Sequence, residues 1–451
     1  MSSSRGFGFP IAADDASHSD SFYLSSYYHP KPLLHKNQTL EDAFTRLSLS
    51  TSAFNPPPLD HAFSRHAFHP PNLTQTGFNA ANAGSESLSS GFLDSVPLLR
   101  QSSGFFNGGA GDLLGEIGEI PRMDLNECWR GSVLSFAKDQ YGCRILQERM
   151  KRMAAEDFSF IFLELIDHVT ELMVDPFGNY VFQKMVEICS DEQRTRIVLV
   201  VTQPNFLLVR VCLKPHGTRS VERLLESVTN EEQRDLIMAA LSPGAVVLAK
   251  DTNGHRVVLY CLKHFSGEAT KYLLNEVANN SFGIAKDKTG CCVLQQCILH
   301  AIGETKMRLI ADVIVNASLL AEDCYGNYVV QHLLSLKIPV VTENLLRQLQ
   351  GKFTYLACNK YGSNVVEKFF QESGEMHSMR IVLELLHDPN VARLLVDPYG
   401  NYVIKTALMI SKGAIRNALL QLIQLNSTMM RNNLYGKKLL DRFDRGNIRH
   451  I

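Results

Sequence analysis

A nine-residue motif recurs through most of the chain at an almost constant interval. Its sharpest copy, Asp-Pro-Phe-Gly-Asn-Tyr-Val-Phe-Gln at 175–183, returns nearly verbatim at 323–331 and 397–405. Relaxed copies raise the number to nine, and the central glycines lie 36 to 39 residues apart. These glycines are Gly142, Gly178, Gly217, Gly254, Gly290, Gly326, Gly362, Gly400 and Gly436. A unit of this length cannot bury its apolar face alone, so the period predicts stacked units with one continuous core.

Each clear copy has the features of a helix start. Asp175, Asp323 and Asp397 are good N-caps, and a proline follows two of them at the first helical position. From the cap, Asn and Gln lie at +4 and +8 and therefore share one helix face, with Tyr at +5 beside them. Val at +6 lies about 200° from the Asn and is predicted to face the core. Each unit thus presents two polar residues and one flat residue.

The region from about 113 onward reads as all-helical. Leu, Val and Ile recur there at helical spacing, as in Asn275–Lys286, and no Asn-Gly turn between alternating residues signals a strand. About 36 residues hold two or three helices. The sequence therefore predicts an all-α fold, an α-solenoid in which the second helices of successive units align along one face.

The first part of the chain has a different character. Residues 1–115 contain 9 of the 17 prolines and 19 serines but only 6 basic and 9 acidic residues, and no period there could bury an apolar face. We predict a disordered, low-complexity arm over 1–112 and one repeat domain over 113–451. The arm also holds 11 of the 24 phenylalanines, and Thr39–Leu49 is the best candidate for a short docking motif; the alternative is a chance pattern in a solvated arm.

Composition and motifs exclude several classes of protein. The chain has 45 basic and 46 acidic residues, which excludes a polybasic binder but leaves a local basic face open. Ten cysteines form no CxxC pair or Cys/His cluster, so we predict reduced thiols in an intracellular compartment and no metal or cofactor. No uninterrupted apolar run could span a membrane. No P-loop, HExxH or G-x-S-x-G motif indicates an enzyme.

Eight units carry a triplet made of the two polar positions and the flat position of the motif. The triplets are Cys143/Arg144/Gln147, Asn179/Tyr180/Gln183, Thr218/Arg219/Glu222, His255/Arg256/Leu259, Cys291/Cys292/Gln295, Asn327/Tyr328/Gln331, Ser363/Asn364/Glu367 and Asn401/Tyr402/Lys405. The outer two residues change in coherent pairs, which an unconstrained surface would not maintain. A carboxylate can accept both N–H groups of guanine, two amides can match uracil, and Gln beside a small residue can meet adenine. The flat residues can stack on bases.

With these residues in register, the chain from about 113 to its end resembles the Pumilio (PUF) family, whose repeats carry a D-x-[YF]-G-N-Y-V-x-Q type motif. The resemblance implies a crescent of eight three-helix repeats with single-stranded RNA on the concave face. It also implies antiparallel binding, so that the last repeat takes the 5′ base. The ninth copy, at Gly436, lacks a triplet and is predicted to be a C-terminal cap.

Carried over repeat by repeat, the resemblance implies a site close to 5′-UGUANNUA-3′. The eighth, sixth and second repeats favour U, the seventh favours G, and the fifth and first favour A. Lys405 stands where the family has Gln, which weakens the first U. In the fourth repeat Leu259 cannot hydrogen-bond a base edge. In the third, Glu222 hints at G, although the family usually takes A nearby.

The resemblance further implies binding to mRNA 3′ untranslated regions and repression of translation or of mRNA stability, with repressor or deadenylase proteins as partners. We expect a monomer in the cytoplasm, with the chloroplast or nucleus as alternatives. A protein-binding scaffold and a ribosomal RNA maturation factor remain alternative functions; the latter class tends to lose coherent triplets, whereas six of eight are readable here. Four cations that directly follow triplets could add positive potential or be ordinary solvated charges; they are Lys184, Arg223, His332 and Lys368.

Overall fold

The computed structural model describes residues 131–444, and within that range every repeat has the same three-helix layout. A short first helix leads into a longer middle helix, and a third helix completes the unit. No strand occurs among these residues. The predicted arm over 1–112, its segment Thr39–Leu49 and the predicted domain boundary at 113 lie outside the described residues.

The first helices contain only 4 to 6 residues each. They are Val133–Ala137, Val169–Val174, Leu207–Cys212, Ala245–Lys250, Ser281–Ala285, Ala317–Ala321, Phe353–Ala357 and Val391–Leu394. Two short 3-10 turns, Ile166–His168 and Ser242–Gly244, lead into the first helices of the second and fourth repeats. Each first helix packs against the middle helix of its own repeat.

The middle helices carry the triplets and form an unbroken row. They are Gly142–Met150, Gly178–Ile188, Pro215–Ser227, Gly254–His264, Gly290–His300, Gly326–Ser335, Gly362–Glu372 and Gly400–Ile410. Each of them packs against the middle helix of the next repeat, from the first repeat to the eighth. We call the exposed sides of these eight helices the triplet face.

The third helices complete the repeats. They are Ala155–Leu165, Asp191–Thr202, Glu231–Leu241, Lys271–Asn279, Gly303–Val315, Pro339–Leu349, Glu375–His387 and Gly413–Leu425. Neighbouring third helices contact each other from the second repeat to the sixth, and again between the seventh and eighth. Two further helices, Ser427–Arg431 and Leu434–Asp444, follow the eighth repeat, and the second of them packs on its middle helix. They occupy the place predicted for a cap.

The core is continuous along the stack. Val181, Val329 and Val403, the residues predicted to face inward, are completely buried. Phe353 and Phe369 join a first helix to its middle helix through an edge-on ring contact, with ring centroids 5.6 Å apart. These observations confirm the prediction of an all-α solenoid of eight three-helix repeats. None of the helices between residues 131 and 444 has the length and apolar character needed to span a bilayer.

The predicted caps close the turn in front of the middle helices. The helix of the second repeat begins at Gly178, three residues after Asp175. The Asp175 carboxylate nevertheless accepts hydrogen bonds from the backbone N–H groups of Phe177 and Gly178, at 2.9 and 2.7 Å. These N–H groups would otherwise lack partners. Seven other residues in the described range make the same pair of bonds; they are Asp139, Asp251, Asp287, Asp323, Asn359, Asp397 and Asn433.

The periodic glycine is required because the first and middle helices approach closely at this point. A Cβ atom at Gly290 would lie 2.5 Å from the carbonyl oxygen of Ile284, six residues earlier. At Gly217 the same atom would overlap the carbonyl oxygen of Val211. In both cases the obstacle is backbone, which cannot rotate away as a side chain can. The recurrence of glycine every 36 to 39 residues is therefore a packing requirement of the fold.

We expect the substitution Gly217→Ala to lower stability, because it overpacks the contact between two helices of the third repeat. Overpacking of this kind costs about 1–3 kcal/mol. The measurement is the midpoint of urea or thermal unfolding of the whole chain, with circular dichroism as the signal.

Gly283→Ala is the matched control. Its Cβ would have only the Lys250 ammonium group nearby, at 3.6 Å, and the change from Gly to Ala favours a helix by up to about 1 kcal/mol. The packing argument is wrong if both variants lower the midpoint equally.

Candidate nucleic-acid interface

The three triplet positions have the same setting in every repeat. The middle residue is exposed in all eight: Arg144, Tyr180, Arg219, Arg256, Cys292, Tyr328, Asn364 and Tyr402. The last residue is partly exposed in all eight: Gln147, Gln183, Glu222, Leu259, Gln295, Gln331, Glu367 and Lys405. The first residue is buried in seven repeats, and only His255 is half-buried: Cys143, Asn179, Thr218, His255, Cys291, Asn327, Ser363 and Asn401. The structure therefore brings all the predicted site residues onto one face, in one register.

The buried asparagines hold the glutamines of their own triplets. Asn179 is 1% exposed, and its side-chain N–H groups donate to the carbonyls of Asp175 and Pro176, at 2.8 and 2.9 Å. Its carbonyl oxygen accepts from the Gln183 amide at 2.9 Å. Asn327 and Gln331 repeat this arrangement with the same 2.9 Å bond. The glutamine is thus held by one hydrogen bond from its side-chain N–H group, and its own carbonyl oxygen remains available for a base.

This double role of asparagine could not be read from spacing alone. The sequence placed Asn and Gln on one face as two equal contacts, whereas the structure makes the first the support of the second. The available signal was the position of Asn in the first turn, where short amide side chains bond to nearby backbone carbonyls. Asn401 follows the same rule, with bonds of 2.7 and 3.1 Å to the carbonyls of Asp397 and Pro398.

The first repeat, with Cys143 at the first position, holds its glutamine differently. The Gln147 amide donates to the backbone carbonyl of Cys143 at 3.0 Å, because no side-chain amide is present to accept. In the fifth repeat the thiols of Cys291 and Cys292 lie 3.9 Å apart. The contact with Cys292, together with burial, raises the pKa of the Cys291 thiol. The nine cysteines within residues 131–444 are all free thiols.

The seventh repeat presents a half-buried carboxylate. Glu367 accepts a hydrogen bond of 3.3 Å from the hydroxyl of Thr406 in the next repeat. Burial raises the pKa of Glu367, while the Thr406 hydroxyl and the nearby Lys405 ammonium act in the opposite direction. Ser363 is buried, and its hydroxyl bonds to the carbonyl of Lys360 at 3.3 Å. Of this pair, the carboxylate alone can accept two donors from a base.

The eighth repeat departs from the others at its last position. Lys405 is half-buried, and burial and the charge of Arg442 lower its pKa, whereas Glu367 raises it. A lysine has three donors and no acceptor. It can meet a base only through carbonyl or ring-nitrogen acceptors, which suits the O4 or O2 atom of uracil but does not select uracil alone.

In the third and fourth repeats, triplet side chains form hydrogen bonds within the protein. The Thr218 hydroxyl lies 2.7 Å from the carbonyl oxygen of Cys212, and the Glu222 carboxylate accepts from the Arg256 guanidinium at 3.0 Å. The His255 ring bonds to the carbonyl of Asp251 at 3.0 Å. Leu259 offers no polar atom. Thr218, Glu222 and His255 therefore already have hydrogen-bond partners within the protein.

The cations that follow the triplets do not form a free positive row. Lys184 and Arg223 both pair with Glu187, at 2.8 and 3.0 Å, and Lys368 pairs with Glu372 at 3.1 Å. Burial and the charges of Lys306 and Lys368 lower the pKa of His332 to about 4, so its ring is neutral at neutral pH. These four side chains therefore add little unpaired positive charge to the triplet face.

Within the described residues, no group of His, Cys, Asp and Glu side chains could hold a metal ion. The polar groups of the triplets are instead amides, hydroxyls, thiols, an imidazole, cationic side chains and two carboxylates in separate repeats. This set is suited to hydrogen bonding and stacking with flat, neutral ligands such as nucleobases.

Sequence comparison places this geometry in a known family. The family model for the Pumilio-family RNA binding repeat matches eight segments, each of which contains one triplet. They are 132–166, 168–202, 208–242, 245–278, 281–314, 316–336, 352–386 and 390–423. The sixth match ends before the third helix of its repeat, Pro339–Leu349. These segments agree with the repeats found in the structure.

Curated Pumilio proteins are also similar in sequence to this chain. Pumilio homolog 12 of Arabidopsis thaliana is 41% identical over 311 residues, which cover 69% of this chain and 52% of that protein. Putative pumilio homolog 8, chloroplastic, from the same plant is 40% identical over 314 residues, which cover 70% of this chain and 61% of that protein. The chain thus spans between half and two thirds of the length of these curated relatives.

Two solved structures share the fold. The Puf4 RNA binding domain bound to the HO endonuclease RNA 3′ UTR recognition sequence matches with a TM-score of 0.61 and 32% identity, over 69% of this chain and 98% of that one. The RNA-binding domain of yeast Puf5p bound to AAT2 RNA matches with a TM-score of 0.62 and 25% identity, over 73% and 100%. The family is one of repeat proteins rather than enzymes, as the sequence predicted. With eight matched segments and eight structural repeats in register, the chain belongs to the Pumilio family.

Proposed function

We propose that this chain binds single-stranded RNA sequence-specifically through the triplet face, at sites close to 5′-UGUANNUA-3′. The observation that carries the proposal is the contrast between adjacent triplets. Glu367 presents an ionisable acceptor at the position where Gln331, in the neighbouring repeat, presents an amide held by Asn327. A carboxylate suits the paired donors of guanine, and the amide suits the mixed edge of uracil. Such a change between neighbours is expected of a face that distinguishes bases.

The exposed middle residues support the same proposal. Tyr180, Tyr328 and Tyr402 are 47 to 55% exposed on an otherwise closely packed face, at equivalent positions of their repeats. Exposing a ring has a hydrophobic cost unless a ligand covers it, and stacking of a base on an aromatic residue contributes roughly 1–3 kcal/mol. The RNA complexes of Puf4 and Puf5p show that related stacks hold RNA.

The proposed biological role is binding to 3′ untranslated regions of mRNA, with repression of translation or of mRNA stability. The RNA in the related Puf4 complex is a 3′ UTR recognition sequence, which supports this proposal. Recruitment of repressor or deadenylase proteins and a monomeric state are part of the proposal. So is a cytoplasmic location. The chloroplast is the first alternative, because two relatives carry the word chloroplastic in their names.

The proposal predicts that the double substitution Ser363→Asn with Glu367→Gln changes the second base preference from G to U. The new pair copies Asn327 and Gln331 of the sixth repeat. The measurement is selection of RNA by the whole chain from a randomised pool at a stated salt concentration, since affinity depends on salt.

Wild-type protein is the control and should enrich UGUA. The double variant should enrich UUUA, with the other positions unchanged. The assigned register is wrong if the double variant still prefers G, and the function itself is wrong if folded wild-type protein enriches no sequence.

Recognition of G should also depend on pH. Because burial raises the pKa of Glu367, its carboxylate takes up a proton at a higher pH than an exposed glutamate does. We expect the affinity ratio of UGUA over UUUA to fall as pH is lowered from neutral, since only the ionised form accepts both guanine donors. In Glu367→Gln the ratio should not change over the same pH interval. A ratio that is independent of pH in the wild type would refute the role of the carboxylate.

Deletion of residues 1–110 should leave RNA affinity nearly intact, because no triplet lies there. The measurement is a binding titration with one UGUA-containing RNA, compared with the full chain. A loss of about tenfold, equivalent to about 1.4 kcal/mol, would mean that the arm takes part in binding.

A further inference from the structure

The third repeat contains a carboxylate at the position that reads G in the seventh repeat, but its surroundings differ. Glu222 accepts from the Arg256 guanidinium of the fourth repeat at 3.0 Å, and its side chain is 21% exposed. In the seventh repeat, Glu367 accepts from the neutral hydroxyl of Thr406 at 3.3 Å, and the Lys405 ammonium also acts to lower its pKa. The two glutamates are therefore not equivalent acceptors.

The difference lies in the group of the following repeat that donates to the carboxylate, a guanidinium for Glu222 and a hydroxyl for Glu367. Arg256 and Tyr402 occupy the same triplet position, each in the repeat that follows a glutamate. The Arg256 guanidinium donates a hydrogen bond back to Glu222, whereas Tyr402 has no charged donor. Both residues are exposed, with 48% of the Arg256 side chain accessible, so either can also lie against a base. The pairing is a property of neighbouring repeats and not of one triplet.

We propose that Arg256 is a specificity-determining residue, which prevents the third repeat from reading G by pairing with Glu222. Recognition of guanine by a carboxylate requires both oxygens to accept in one plane. Arg256 occupies one of these oxygens and compensates the negative charge that would strengthen both bonds. The inference rests on the proposed RNA binding, and it assigns a degenerate sixth base to a repeat whose triplet alone suggests G.

The neighbouring groups do not restore selectivity. Thr218 is 1% exposed, and its hydroxyl is directed to the carbonyls of Cys212 and Lys214. In the fourth repeat, His255 bonds to a backbone carbonyl and Leu259 is apolar. Arg256 can still stack on a base of any identity. Together these residues form a segment that would hold RNA without selecting bases.

The test is selection from a fully randomised RNA pool by the whole chain and by Arg256→Ala. Wild type should enrich UGUA and show no preference for G at the sixth base. Arg256→Ala should enrich UGUA as before and gain a preference for G at the sixth base of about fivefold or more, the lower bound for one bidentate base contact. A general loss of affinity from lost stacking would not alter base preference.

Three further variants separate the possible causes. Arg256→Ala with Glu222→Gln should lose the gained preference, because no carboxylate remains. Arg144→Ala removes an exposed arginine at the same triplet position and should gain no G. Tyr402→Arg should place a guanidinium donor beside Glu367, as Arg256 stands beside Glu222, and reduce the preference for G at the second base.

The outcomes distinguish the inference from the function on which it rests. If UGUA is enriched but Arg256→Ala leaves the sixth base unchanged, the inference is overturned and the proposed function stands. The inference also fails if the wild type already prefers G at the sixth base. If folded wild-type protein enriches no sequence, the proposed function fails, and the inference fails with it.

Discussion

The close contact between each middle helix and the first helix before it is the constraint on which the rest of the structure depends. At Gly217 and Gly290 the middle helix begins so near the preceding backbone that no side chain fits. This contact fixes the position of the middle helix within its repeat. Because each middle helix also packs on the next, a fixed position within one repeat becomes a fixed spacing along the row. The regular triplet face is a consequence of that spacing.

The hydrogen bonds at the start of each middle helix connect this framework to the proposed site. The carboxylate of Asp323 satisfies two N–H groups of the turn, and its backbone carbonyl accepts from the Asn327 side chain. Asn327 in turn holds Gln331. A chain of bonds thus runs from the cap to the residue that would meet the base. Locking a flexible amide before binding lowers the entropy that binding must remove.

The fold could be predicted from the sequence because its determinants are local and periodic. Val181 and Val329 face the core, as helical geometry requires, and the positions of the triplets follow from the motif. The hydrogen bonds and ion pairs of individual side chains could not be predicted. Glu222 and Arg256 are 34 residues apart, and only the stacking of two repeats brings them to 3.0 Å. The low pKa of His332 likewise depends on burial and on two lysines from other helices.

The bridge between Glu222 and Arg256 has a consequence for protein design. In an arrangement of stacked repeats, one would expect that the triplet of each repeat can be substituted without affecting the others. Here one side chain belongs to two repeats, since Arg256 is an exposed triplet residue of the fourth repeat while its guanidinium pairs with Glu222 of the third. On the role proposed for Arg256, this contact makes the effects of substitutions in the third and fourth repeats depend on each other, so Glu222 and Arg256 have to be redesigned together.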